Sequence, residues 1–171
     1  SARGYSEESG IPYVDAISKN RYIGRTFIQP SQAMRESNVK IKLNAFKSNI
    51  KDKRLILIDD SIVRGTTSRK IIQLLKSSGA TEVHMLVCSP IIKNPCYFGI
   101  DMQTKEQLIG GSLDEEQICK KIGADSLHYV PLDQLIKSCT NGTEHSFCTG
   151  CFDGEYPFDI SKYHVDKLGL E

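Results

Sequence analysis

The sequence predicts an α/β fold with a parallel sheet flanked by helices, and three observations carry that expectation. Leu55-Ile-Leu-Ile58 is a continuous apolar run, as in a strand covered on both faces. Val83 to Cys88 is a second buried-strand pattern. Between them Ile71, Ile72, Leu74 and Leu75 recur at helical spacing and the pattern closes at Gly79. Strand, helix and strand in that order form a β-α-β unit with a right-handed crossover.

The other elements follow in chain order. Residues 1 to 9 read as a helix closed by Gly10, and Ile11 to Ile17 as a strand. Lys19 to Arg54 contains Gly24 and Pro30, with a helix expected from Ser31 to about Asn38. Thr66 or Thr67 is expected to cap the helix that ends at Gly79. A helix over Glu115–Ile122, a short strand over Leu127–Val130 and a helix over Leu132–Ser138 complete the alternation. Residues 140–171 hold more Gly, Pro and aromatics and read as an irregular tail wrapped on the domain.

At 171 residues with 39% hydrophobic content, the chain can bury one sizeable core. A net charge of +1 argues against a general polyanion binder, so no nucleic-acid partner is expected. The charge is unevenly spread, however. Residues 19–54 carry ten Lys/Arg and two acids, while the rest of the chain is net acidic. A basic segment beside an acidic body can gather an anionic ligand. No run approaches the length of a membrane span, and the first residues are not a signal peptide. No membrane partner and a cytoplasmic location are therefore expected. Six irregularly spaced cysteines suit reduced thiols or metal ligation better than a disulfide framework.

The richest string is Leu55 to Ser68. Its apolar run ends in Asp59 and Asp60, at the carboxyl end of a strand, where ligands sit in open parallel sheets. Adjacent strand residues point to opposite faces, so one carboxylate can meet the ligand while the other orients the loop or a metal-bound water. Both are acceptors for ribose hydroxyls and oxygen ligands for Mg²⁺. Arg64 to Ser68 then fall at a helix N-terminus, whose unpaired N–H groups and dipole attract phosphate. Gly65 permits a close backbone approach, and Ser61, Thr66, Thr67 and Ser68 add hydroxyls. The string specifies a phosphorylated ribose.

Leu-Ile-Leu-Ile-Asp-Asp-Ser-Ile-Val-Arg-Gly-Thr-Thr-Ser resembles the phosphoribosyl pyrophosphate (PRPP) motif of type I phosphoribosyltransferases. Its Asp-Asp-Ser-Ile-Val-Arg-Gly-Thr form is similar to that of the glutamine PRPP amidotransferases. Lys19-Asn-Arg-Tyr-Ile-Gly-Arg-Thr-Phe-Ile-Gln-Pro30 resembles the loop with which that family closes over PRPP, and Ile122-Gly-Ala-Asp125 also matches. The resemblance implies a type I phosphoribosyltransferase fold. It also implies an enzyme that replaces the pyrophosphate of PRPP with ammonia from glutamine, giving 5-phosphoribosylamine for de novo purine synthesis.

The resemblance further implies roles. Asp59 and Asp60 take the ribose hydroxyls, directly or through Mg²⁺, Arg64 to Ser68 surround the 5-phosphate, and Ser61 is a further PRPP contact. Lys19, Arg21 and Arg25 offset the pyrophosphate charge, and Tyr22 fills the closed loop and excludes water. Purine nucleotides are the implied feedback inhibitors, and a homo-oligomer the implied assembly. Against that family the chain is expected to be a fragment, without the glutaminase domain and without the pyrophosphate-binding loop. The organisation expected is a domain over 1–139, incomplete at its N-terminus, and a cysteine-containing tail over 140–171. No glutamine-dependent activity is expected of the isolated chain, which an assay of glutamate release checks.

Cys148-Thr-Gly-Cys151 alone leaves zinc, iron–sulfur and redox readings open. Cys96, in the stretch after Cys88, is a third candidate. The resemblance implies that Cys96, Cys148 and Cys151 are three of four ligands of a [4Fe–4S] cluster, the fourth lying outside the chain. Two other functions share the PRPP string: a non-catalytic PRPP-sensing regulator and a nucleobase salvage transferase.

Overall fold

The computed structural model describes residues 1–19, 43–100, 102, 104–140 and 147–160. Its centre is a parallel sheet of three strands, β3 (Arg54–Asp59), β4 (Glu82–Val87) and β5 (Ser126–Tyr129), in that spatial order. Helix α3 (Thr66–Ser77) joins β3 to β4, and α4 (Glu115–Ile122) leads into β5. The register aligns Asp59 with Val87 and Val87 with Tyr129, so the three carboxyl ends form one edge.

One sheet face carries the core. Val83, Met85, Val87 and Leu127 are buried, together with Ile72 and Leu75 of α3 and Ile118 and Ile122 of α4. Each such side chain contributes about 1.5–3 kcal/mol when withdrawn from water. The continuous apolar run of β3 predicts coverage on both faces, but Ile56 is 36% exposed and Ile58 only half-buried. β4 alternates likewise, with Glu82, His84 and Leu86 half-buried. The second face is thus only partly covered by the described residues.

Local signals set the ends of α4. The Asp114 side chain accepts from the Gln117 N–H at 2.8 Å, and the Gln117 side chain accepts from the Asp114 N–H at 3.1 Å. Together these two bonds form a capping box. Glu115 and Glu116 begin the helix, Lys120 and Lys121 end it, and Gly123 closes it at φ 79°. The Ile122-Gly-Ala-Asp125 string is structural here. The Asp125 carboxylate accepts from the Val83 N–H at 2.6 Å and from Lys76 Nζ at 3.1 Å, tying β5 to β4 and α3.

Several expectations are corrected. Residues 11–16 form no regular structure, and only Ile17–Lys19 is a strand, β1. It pairs antiparallel with β2 (Leu43–Ala45), apart from the main sheet. Pro12 has no N–H to give a ladder, and Ile11, Tyr13 and Val14 are exposed. A four-residue helix, α2 (Lys47–Ile50), follows β2 and buries Ile50. The helix expected at 31–38 lies outside the described residues.

Helix α1 (Ala2–Ser9) closes at Gly10 as expected, but none of its residues is buried. The cap of α3 is Gly65 rather than Thr66 or Thr67. The second parallel strand ends at Val87, one residue before Cys88, and β5 lies one residue earlier than expected. Helix α5 (Leu132–Thr140) matches its expected start.

The tail residues contain a short helix, α6 (Gly150–Asp153). Cys151 and Phe152 pack on a second cluster built from Ile92, Met102 and Leu108, which Val63 and Cys96 also touch. The Lys93 and Asn94 N–H groups both donate to the Cys151 carbonyl, at 2.9 and 3.0 Å. No helix among the described residues is long and apolar enough to cross a membrane.

Candidate functional site

The loop from Asp59 to Gly65 leaves the carboxyl edge of the sheet and enters α3. Asp59 is half-buried at the last position of β3, and its Oδ1 accepts from the Asp60 N–H at 3.0 Å. Burial pushes the Asp59 carboxyl above its usual range, and the Asp60 charge adds to that. The Asp60 N–H works against both and does not cancel them. Asp60 is exposed and accepts from the Ser61 hydroxyl at 3.0 Å. Two adjacent carboxyls, one of them disfavoured as an anion, suit a cation or a cluster of hydroxyl donors. By donor chemistry they fit Mg²⁺.

Gly65 turns the chain into α3 at φ 73°, a left-handed conformation open to glycine at little cost. A Cβ there would stand 2.6 Å from Ile109 Cδ1. Beyond this turn the N–H groups of the first turn of α3, from Thr66 to Ser68, have no partner within the helix by its geometry. They form the anion-attracting end of a 12-residue helix. Thr66 and Thr67 are exposed, while Ser68 is 3% exposed, so the hydroxyls at the surface are those of the two threonines.

The loop is braced by a segment that the sequence reading did not single out. Two 3₁₀ turns, Lys105–Gln107 and Ile109–Gly111, lie against it. The Ile109 N–H donates to the Val63 carbonyl at 2.8 Å, and Arg64 Nη2 donates to Gln107 Oε1 at 2.7 Å. No local signal identifies Gln107, which lies 43 residues from Arg64 in the chain.

Of the residues expected to meet the pyrophosphate, Lys19 ends β1 and is exposed. Arg21, Tyr22 and Arg25 lie outside the described residues.

The structure gathers the three candidate thiols around Tyr156. Its hydroxyl donates to the Pro95 carbonyl at 2.5 Å, and its ring meets Tyr97 edge-on at 5.0 Å between centroids. Desolvation first, then Tyr97 and the charges of Cys151, Cys96 and Cys148, push the Tyr156 hydroxyl up to about 12. Burial likewise raises the Cys151 thiol, with Cys96 and Cys148 adding to it. Cys96 and Cys151 are half-buried and Cys148 is exposed. Soft sulfur donors fit an iron–sulfur or zinc group by type. Among the described residues, however, no three His, Cys, Asp or Glu side chains converge tightly enough to hold a metal ion.

No family model matches the chain. Individual relatives do. It is 49% identical over 168 residues to the amidophosphoribosyltransferase of Methanothermobacter thermautotrophicus, covering 96% of this chain and 35% of that protein. It is also 49% identical over 162 residues to the Bacillus subtilis amidophosphoribosyltransferase, covering 93% of this chain and 34% of that one. The chain thus spans about a third of the length of the curated relatives it matches. The solved B. subtilis glutamine PRPP amidotransferase, complexed with ADP and GMP, superposes with a TM-score of 0.84 at 48% identity. That match covers 96% of this chain and 37% of the solved one. The α/β fold with its parallel sheet is therefore shared.

Proposed function

We propose that the chain is the phosphoribosyl-transferring part of an amidophosphoribosyltransferase of the iron–sulfur-containing branch. One observation carries this reading. Asp59 to Ser68 joins two carboxyls at a parallel-sheet edge to a helix N-terminus, in a chain 49% identical to enzymes of that name. The proposed reaction is attack of ammonia on C1 of PRPP. The C1–N bond forms as the bond to pyrophosphate breaks, the bonding pair leaves with pyrophosphate, and nitrogen gives up a proton. The product is 5-phosphoribosylamine, for purine biosynthesis. The ammonia comes from glutamine in a longer protein.

Charge grows on the ribose ring as pyrophosphate leaves, so the protein acts by positioning and electrostatics. The N–H groups from Thr66 to Ser68, Arg64 and the Thr66 and Thr67 hydroxyls hold the 5-phosphate, with Gly65 allowing its close approach. Asp59, Asp60 and Ser61 bind the ribose side of the ligand. The two carboxylates act directly or as oxygen ligands of Mg²⁺, which when bound supplies positive charge against the diphosphate. Lys19, Arg21 and Arg25 offset pyrophosphate, and Tyr22 excludes water.

Cys96, Cys148 and Cys151 supply three thiolates to a [4Fe–4S] cluster that plays no part in these steps, its fourth ligand lying outside the chain. Purine nucleotides inhibit, in line with the ADP and GMP of the B. subtilis complex. The intact protein is a cytoplasmic homo-oligomer in this reading, with residues 1–139 in the transferase domain and 140–171 as its cysteine-bearing tail.

Titration calorimetry of PRPP with Mg²⁺ into the intact protein tests the site. Saturable binding that Asp60→Asn weakens supports the reading, and binding equal in the variant overturns it. For the cluster, broad visible absorbance is expected of anaerobically purified protein, whereas bound zinc without it contradicts the assignment.

A further inference from the structure

We propose that Gln107 is a positioning residue for the phosphate loop, holding the Arg64 guanidinium where it meets the ribose phosphate; this rests on the PRPP reading above. Arg64 is exposed and, left alone, would sample many rotamers. Gln107 Oε1 accepts from its Nη2 at 2.7 Å. The Gln107 backbone is itself fixed, since its N–H donates to the Thr104 carbonyl at 3.2 Å and buried Leu108 and Ile109 follow it.

The two segments are registered twice over. One link is the Arg64 side chain on Gln107, and the other is the Ile109 N–H on the Val63 carbonyl, 2.8 Å away. Both links lie just before Gly65, against which Ile109 packs. The Arg64 Cα therefore lies between two fixed points, and its head group is held by a third.

The chemistry of the pair favours an orienting role. A neutral amide oxygen takes one N–H of the guanidinium without cancelling its charge. The remaining donors stay open to a phosphate, which prefers two parallel N–H bonds from arginine. The first-turn N–H groups of α3 begin two residues further on, so a phosphate drawn to the helix end falls within the same locality. Val63 also packs on the cluster formed by Ile92, Met102 and Leu108, which anchors the brace from below.

The test is PRPP binding and steady-state kinetics on the intact protein with Gln107→Ala, Gln107→Glu, Arg64→Ala and the Arg64→Ala/Gln107→Ala double variant. Gln107→Ala is expected to weaken PRPP binding roughly three- to tenfold, the size of one ordinary net hydrogen bond, because Gln107 orients Arg64 without touching PRPP itself. The effect falls on KM for PRPP rather than on kcat. Gln107→Glu keeps the acceptor but adds a negative charge that pairs with the guanidinium and opposes the phosphate, so PRPP binding is expected to fall at least as far as in Gln107→Ala. The double variant binds no more weakly than Arg64→Ala alone, because the two residues act as one unit. Unchanged affinity in Gln107→Ala, or additive losses in the double variant, would overturn the role of Gln107 while leaving the PRPP site standing. A wild-type protein that binds no PRPP would overturn both.

Discussion

Asp59 is the residue at which the site's two demands conflict. Burial at the end of β3 and the neighbouring Asp60 both oppose its charge, yet a ligand rich in hydroxyls or a cation requires that charge. Because its carboxyl titrates above the unfolded value, its favourable contribution is full at acid pH. That contribution is lost as pH rises through the raised folded value. At neutral pH the ligand-free protein therefore carries an unfavourable anion. Asp59→Asn removes it and keeps the Oδ1 acceptor for the Asp60 N–H. The variant is expected to melt above the wild type near pH 7, with a gap that narrows on acidification, while losing PRPP binding. Thermal melts at both pH values, with and without PRPP and Mg²⁺, check this. Asp125 runs the other way. The Val83 N–H first, then Lys76, hold its carboxyl low, so its contribution is present at neutral pH and fades as the carboxyl protonates.

At the level of elements, two glycines set how the chain can pass. Gly65→Ala forces a side chain into a left-handed turn, at about 1–2 kcal/mol, and pushes on Ile109. Lower stability in urea and weaker PRPP binding are expected together, because the turn starts α3 and, in the proposed reading, also admits the phosphate. Gly150 has a different constraint, since a Cβ there would strike the Tyr156 ring. Gly150→Ala is expected to lift α6 from the Pro95–Tyr97 segment and speed alkylation of Cys151, read by mass spectrometry. Tyr156→Phe loses only the bond to the Pro95 carbonyl, about 1 kcal/mol, and leaves Cys151 protected.

The same elements show why sequence reading succeeds in places. Helix α4 is legible to the residue because its capping box and Gly123 are local. The Asp59–Ser68 loop is legible because its residues are consecutive. Strands β1 and β2 are three residues each, too short for alternation to show, and their pairing joins positions more than twenty residues apart. The brace at Gln107 and Ile109 is equally non-local. The cap of α3 falls at Gly65, just before the threonines, because hydroxyl residues and glycine both serve at that position.

For the molecule as a whole, the sheet turns its core face to α3 and α4, and the Asp59–Gly65 loop leaves its carboxyl edge. The tail joins the second cluster, which meets the loop at Val63. The central claim is transfer of a phosphoribosyl group at Asp59 to Ser68. Its most direct measurement is pyrophosphate release from PRPP by the intact protein with ammonia and Mg²⁺, compared between wild type and Asp60→Asn. Ammonia-dependent release that the substitution sharply reduces is the expected result. Release that is absent, or equal in the two proteins, would contradict it.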